Sequence, residues 1–351
     1  MDIKQLLQQT IDSGASDLHL LTGVAPTLRI DGVLAPLSNF GVMTPDAVSE
    51  LVSQSVTSEQ LSKISIDKEL DFSLPFSDKA RFRGNIYTQK GSLAASFRRI
   101  PLEIPAIDSL GLPKIIHSFT GLRQGLVLVT GPTGHGKSTT LASILNEINA
   151  NRLCHIVTIE DPIEFVFRSQ KSIVSQREMN SDTHSWQVAL RSALREDPDV
   201  VLVGEMRDYE TIAAALTVAE TGHLVFATLH TNSAAQTVDR IVDVFPEEQQ
   251  KQIRLQLSSV IEAVFSQRLV AAIPKGRVLA YELMLATNAI KTSIREGKSH
   301  IIDSILETST EAGMVTLEKS LADLVREGKI TLDSAQDWSL RPELLSRLVR
   351  S

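Results

Sequence analysis

Ten residues, "GPTGHGKSTT" (131–140), constrain the fold of this chain more than any other stretch. A glycine, four free positions and then Gly-Lys-Ser is the pattern of a phosphate-cradling loop set between a strand and a helix. Gly131, Gly134 and Gly136 let backbone N–H groups converge on a polyphosphate without Cβ interference. Lys137 can reach the β- and γ-phosphates, and the Ser138 hydroxyl can bind Mg²⁺. Thr133 and Thr139 belong to the same candidate binding stretch. Both flanks fit. "GLVLVT" (125–130) is a short apolar run rich in β-branched residues, and "STTLASILNEINA" (138–150) sets Leu141, Ile144, Leu145 and Ile148 on one helical stripe. A chance glycine-rich turn would not carry both. ATP with Mg²⁺ is the expected cofactor pair.

Composition narrows the classes left. The chain has 42 acidic against 35 basic residues and no run of Lys or Arg. Binding to a nucleic-acid backbone needs clustered cations, so no nucleic-acid partner is expected. The single cysteine, Cys154, excludes an internal disulfide framework and a Cys-rich zinc ribbon, and it suits a reducing cytosol. "MDIKQLLQQTIDSGASDLHL" has no basic head before an apolar core, so no signal peptide is expected. No apolar stretch approaches the roughly 20 residues that cross a bilayer. A cytoplasmic chain is expected, and any link to a membrane would run through a partner.

Three regions follow one another. Residues 1–100 alternate short helical and strand patterns. Thr44 precedes Pro45 as an N-cap before a first-turn proline, and Thr57 with Gln60 forms a capping box. "ARFRGNIYTQKGSLAASFRRIP" (80–101) reads as two strands around a hairpin turn at "QKGS". The stretch 101–113, "PLEIPAIDSLGLP", reads as a linker from its prolines and glycines. Residues 114–285 alternate helices with the apolar runs "LVLVT", "HIVTIE", "VVLVGE" and "HLVFATLHT", the pattern of a parallel sheet covered on both faces. Residues 286–351 read as wholly helical.

Ligands bind at the carboxyl ends of strands in open parallel sheets, and four such ends here carry polar residues. The first is the phosphate loop. The second, "TIEDPIEF" (158–165), brings Glu160, Asp161 and Glu164, carboxylates able to hold Mg²⁺ through water or to orient an attacking water. Its bland alternative is a solvated acidic loop. The third, "DVVLVGEMRD" (199–208), ends in Gly204 and Glu205, placed to partner the metal. The fourth, "TGHLVFATLHT" (221–231), is bracketed by His223 and His230, and a histidine at its far end could bond the γ-phosphate. A lone histidine is more often a satisfied core or surface group. Position alone does not rank Glu160, Glu164 and Glu205 as the base.

The ordered set of these boxes resembles the type II/IV secretion ATPase superfamily over nearly the whole chain, and within it the pilus-retraction branch. The resemblance implies an α/β fold with a RecA-like P-loop ATPase core on a parallel sheet. A PAS-like α+β N-terminal domain would precede the core and C-terminal helices would follow it. It further implies a catalytic set of Lys137, Glu164, Glu205 and His230. Glu164 would orient or deprotonate water, Ser138 and Glu205 would hold the metal, and His230 would report on the γ-phosphate. "RFRGN" and "SFRRIP" put Arg81, Arg83, Arg98 and Arg99 on adjacent strands, with Arg81 and Arg83 on one face. The family's arginine fingers map to Arg83 and Arg98, in a homohexamer whose nucleotide lies between domains. The alternative for this patch is a solvated basic face.

The expected partners are an inner-membrane pilus platform protein and the pilin machinery, which would hold the chain peripherally at the membrane. Assembly and secretion ATPases usually carry a long extra N-terminal domain and a tetra-cysteine motif. This chain has neither, which favours retraction. Two departures stand out: His135 inside the phosphate loop, and "AIKTSIREGK" (289–298), which differs from the common "AIRNLIREGK" of the retraction branch. The other readings are a retraction-accessory paralogue, a type II secretion or pilus-assembly ATPase, a RecA-like nucleic-acid translocase, and a non-hydrolysing nucleotide-binding platform.

Overall fold

The computed structural model describes residues 1–30, 32–76, 80–101 and 103–350. Asp31 and residues 77–79 of the expected N-terminal domain, Leu102 of the expected linker and Ser351 of the C-terminal region lie outside it. The chain forms two compact units, one of Met1–Glu103 with Glu164–Val166, the other of Ile104–Ile163 with Phe167–Ser351.

The first unit contains α1 (Ile3–Asp12), β1 (Asp17–Leu20), β2 (Thr27–Ile30), β3 (Val33–Pro36), α2 (Pro45–Ser55), α3 (Ser58–Asp67), β4 (Glu69–Phe76), β5 (Ala80–Gln89) and β6 (Ser92–Pro101). The caps are where the sequence puts them: the Thr44 hydroxyl accepts from the Ala47 N–H before α2, and Thr57 and Gln60 close a reciprocal capping box on α3. The strands form an antiparallel sheet in the order β3-β2-β1-β6-β5-β4, an α+β unit as expected. Alternation buries Phe82, Ile86 and Phe97 on one face of the β5–β6 hairpin, against Leu6 and Leu7 of α1.

The second unit carries α4 (Ile116–Phe119), β7 (Gly125–Thr130), α5 (Lys137–Asn151), β8 (His155–Glu160), β9 (Ile173–Glu178), α6 (Trp186–Ala193), β10 (Val200–Val203), α7 (Tyr209–Glu220) and β11 (Leu224–Leu229). These lead to α8 (Ala234–Asp243), α9 (Glu247–Val260), β12 (Ile261–Ala271) and β13 (Arg277–Leu285). Last come α10 (Asn288–Arg295), α11 (Ile302–Thr308), α12 (Leu317–Arg326), α13 (Leu332–Trp338) and α14 (Pro342–Arg350).

Every residue of β7, β10 and β11 is buried, as continuous apolar runs require when helices cover both faces. The sheet order is β13-β12-β7-β11-β10-β8-β9, and all neighbours are parallel except the β12–β13 pair. The expected parallel sheet therefore carries an antiparallel edge strand. After β13 the elements are helical, and α12 packs Leu317 and Leu321 against Val270 and Ala280 of the β12–β13 edge. Among the described residues, no helix is long and apolar enough to cross a membrane.

Candidate nucleotide site

The loop after β7 turns on three glycines in the left-handed half of backbone space: Gly131 (φ 134°), Gly134 (φ 79°) and Gly136 (φ 83°). Gly131 also passes so close to the Gln267 carbonyl that a Cβ there would collide with it, whereas a Cβ on Gly134 would meet nothing within 4 Å. The loop is thus pinned at its root and open at its rim. α5 starts at Lys137 with Gly136 as N-cap and no side-chain cap. Its first N–H groups and the positive end of its dipole are presented to an incoming anion. Lys137 is buried, and its ammonium donates to the carbonyls of Gly131 (2.8 Å) and Pro132 (3.0 Å), which folds it over the loop. An open glycine rim, an uncapped helix and an inward lysine fit a polyphosphate. Ser138 and Thr139 occupy the first turn of that helix.

Neighbouring strand ends converge on this loop. β11 lies beside β7 and β10 beside β11, so His230 and Glu205 each fall just past a strand end. The Thr133 hydroxyl is 3.2 Å from His230 Nδ1, and His230 Nε2 is 3.0 Å from Glu205 Oε1. The other Glu205 oxygen pairs with Arg207 at 2.8 Å. A carboxylate only accepts, so Nε2 carries a hydrogen toward Glu205, and Nδ1 lies within hydrogen-bond reach of the Thr133 hydroxyl. Burial opposes ionisation of Glu205, but the Arg207 hydrogen bond and the neighbouring His230 outweigh it, and its carboxyl titrates below the usual range. The result is a continuous polar relay: phosphate loop, histidine, carboxylate, arginine. The Gly204 carbonyl accepts from the Thr228 hydroxyl at 2.6 Å, which ties the ends of β10 and β11 together.

The acidic box divides. Glu160 ends β8 as a buried carboxylate, accepting from the Thr158 hydroxyl (2.7 Å) and Gln176 (3.3 Å). Glu164 lies in the segment Glu164–Val166, which belongs to the first unit. His223 stands at the opposite end of β11 from His230, with Nδ1 3.0 Å from the Val218 carbonyl, a local helix-end contact.

Within the first unit, Arg83 of β5 and Arg98 of β6 face each other directly in register. Asp17 of β1 sits opposite Arg98 in turn and binds its Nε at 2.8 Å. This row of like charges is made tolerable by the carboxylate beside it. Burial raises the Asp17 pKa, but the Ser16 hydroxyl and Arg98 more than offset that and hold it below the usual value. Arg99 falls on the opposite face from Arg98.

His135 turns inward. Its Nδ1 accepts the Leu269 N–H at 2.9 Å, its carbonyl accepts from Gln267 Nε2 at 2.7 Å, and its ring meets Trp338 edge-on with centroids 5.0 Å apart. Burial, with the charges of Arg277, Lys137 and Arg268 behind it, lowers its pKa. Gln267, Arg268 and Glu282 are buried polar residues that the sequence reading did not single out. The signal was there: three polar residues, "SQR", inside an otherwise apolar strand.

A parallel α/β sheet with a glycine phosphate loop at one strand end, and a histidine and a carboxylate at the next two, defines a P-loop ATPase core. Residues 102–337 match the family described as Type II/IV secretion system protein, and the chain belongs to that family. It is 46% identical over 343 residues to the type IV pilus retraction ATPase PilT of Pseudomonas aeruginosa, covering 98% of this chain and 99% of that one. It is also 46% identical to a twitching motility protein of Neisseria gonorrhoeae, over 92% of this chain and 86% of that one. A crystal structure of the pilus retraction motor PilT with bound ADP superposes with a TM-score of 0.93 at 46% identity, covering 99% of both chains.

Proposed function

We propose that this chain is an ATP-hydrolysing motor that powers retraction of a type IV pilus, acting as a homohexamer on the pilus platform and pilin machinery at the inner membrane. The observation that carries the reading is the relay from Thr133 through His230 to Glu205, set beside a helix N-terminus without a side-chain cap. The near full-length likeness to a retraction motor supports it. Phosphoryl transfer asks mainly for positioning and charge neutralisation. The N–H groups opening α5 hold the phosphates, and Lys137 turns from the loop carbonyls toward their β- and γ-oxygens. Ser138 and Glu205 would be the oxygen donors for Mg²⁺, which would supply neutralisation of the phosphate charge. Glu164 orients the attacking water, while Glu160 keeps β8 in place through Thr158 and Gln176. His230 reports the loss of the γ-phosphate to Glu205 and Arg207. Arg83 and Arg98 act as arginine fingers, and Asp17 keeps Arg98 ordered until it is needed.

Two measurements test this. Purified protein should release phosphate from ATP, and a Glu205→Gln variant should bind nucleotide yet turn over poorly; equal turnover would discard the assignment of Glu205. Removing the gene from a piliated bacterium should abolish twitching and leave excess surface fibres. Cells bare of pili would point to assembly.

A further inference from the structure

β12 and β13 each supply a contact that fixes the backbone of the loop carrying His230. Arg268 NH2 donates to the Asn232 carbonyl at 3.1 Å, and the Ala234 N–H donates to Glu282 Oε1 at 2.7 Å. In the antiparallel register Ser266 lies opposite Glu282 and Arg268 opposite Ala280, so Arg268 and Glu282 share one face of the sheet on a diagonal. Both are almost wholly inside, at 3% and 2% exposure. The preceding residue, Gln267, points to the other face, where it holds the phosphate loop at the His135 carbonyl. One dipeptide of β12 thus braces both loops of the relay.

We propose that Glu282 and Arg268 are positioning residues for His230, gripping the histidine loop on either side of Ser233 so that the imidazole keeps its place between Thr133 and Glu205. The inference rests on the ATPase reading. A buried charge is costly, and a helix end can be capped by a serine alone, as Ser233 already does for α8. Fixing a backbone with charge-assisted bonds is a reason to retain the carboxylate. The grip is anchored in the C-terminal helices. Glu318 of α12 and Arg341 face Glu282, and Glu318 accepts from the Leu340 and Arg341 N–H groups and binds the Arg341 guanidinium at 2.9 Å. Arg341 also reaches Glu307 of α11 at 2.6 Å.

The groups facing Glu282 are the Ala234 N–H, Asp303 of α11, Glu318, Arg341 and Arg268. Burial is the main reason its pKa is pushed up to about 7; the Ala234 N–H opposes this, and Asp303 and Glu318 add to it. Protonation removes the charge on the acceptor and loosens the hold on Ala234, so turnover should fall as pH drops through that value.

The test compares wild type, E282Q, H230A and the double variant, with K137A as the inactive control, following phosphate release, ADP affinity and unfolding midpoint. E282Q should lower kcat on the order of tenfold with KM for ATP and ADP affinity unchanged, the change expected when a hydrogen-bond acceptor loses its charge but keeps its bond. It should also lose the acid limb of the pH profile. In the H230A background it should cost nothing further, because it acts through that ring. Wild-type kcat in E282Q, an unchanged acid limb, or losses that add in the double variant would each overturn the proposal. If E282Q does not fold, R268K measured in the same way decides it. Wild-type protein no more active than K137A would instead overturn the ATPase reading beneath it.

Discussion

The phosphate loop and the histidine loop are built alike and finished differently. Each follows a buried parallel strand, β7 or β11, and each opens a helix, α5 or α8. At α8 two of the first donors are taken: the Ser233 hydroxyl accepts from the Gln236 N–H and the Glu282 carboxylate from the Ala234 N–H. At α5 the N-cap is a glycine and makes no side-chain cap hydrogen bond. Orphan N–H groups are a liability in a closed helix and the working part of an anion site. One loop opens its helix without a side-chain cap, as an anion site requires. The other is capped by Ser233 and Glu282, so that a single ring can be placed.

Lys137→Ala should break the comparison most severely. The variant should lose turnover by on the order of 100-fold or more, the scale of deleting one preorganised electrostatic contact. Its unfolding midpoint should stay close to wild type. Phosphate release at saturating ATP checks this, and wild-type rates would remove the loop from the chemistry. Next in size is Gly131→Ala. Its Cβ would press on the Gln267 carbonyl at a φ of 134° that alanine avoids, so strain of roughly 1–3 kcal/mol should appear as a lower midpoint together with weakened ADP binding. A loop that tolerates alanine here is not pinned by β12.

Ser233→Ala sharpens the contrast from the other side. It should cost about 1 kcal/mol of stability, the usual effect of losing an N-cap, and leave ADP affinity as it was. Denaturant unfolding with and without ADP separates the two terms. A loss of affinity equal to that of Gly131→Ala would mean that the two loops share one job.

How far the sequence carried depended on the reach of each interaction. Local devices were legible: the Thr57–Gln60 box, the hairpin turning at Lys90–Gly91, the apolar runs of β7, β8, β10 and β11, and the glycine loop itself. Each is decided within a few residues. The expectation of a parallel sheet took in the strands whose runs are continuously apolar; β12 was not singled out because Ser266, Gln267 and Arg268 interrupt its pattern. Those residues are polar because they bond inside the fold, Ser266 to Thr130 at 2.7 Å, Gln267 to the phosphate loop and Arg268 to the histidine loop. Such partners lie 36 to 136 positions away, and no periodicity encodes them. The same holds for Asp17 and Arg98, 81 residues apart. His135 stands out in the sequence only as a departure from the loop pattern, and its acceptor role depends on Leu269, 134 residues on.

The smallest expected effect separates the two supports of the phosphate-loop helix by pH. His117 of α4 places Nδ1 2.9 Å from Glu147 of α5 and Nε2 3.1 Å from Asp108, and these hydrogen bonds, Glu147 first, raise its pKa above 6.5. A raised folded value means stability fully present below the ordinary histidine pKa and lost as pH rises through the raised one. His135 runs the other way. Burial lowers its pKa below 6.5, so its contribution is present above that value and lost as pH falls through the lowered one. Measured as the difference from wild type at each pH, His117→Gln should therefore cost least on the alkaline side and His135→Gln least on the acid side. His117 is exposed and screened by solvent, so its limb should be the shallower. Unchanged differences across pH in both histidine variants would discard this assignment.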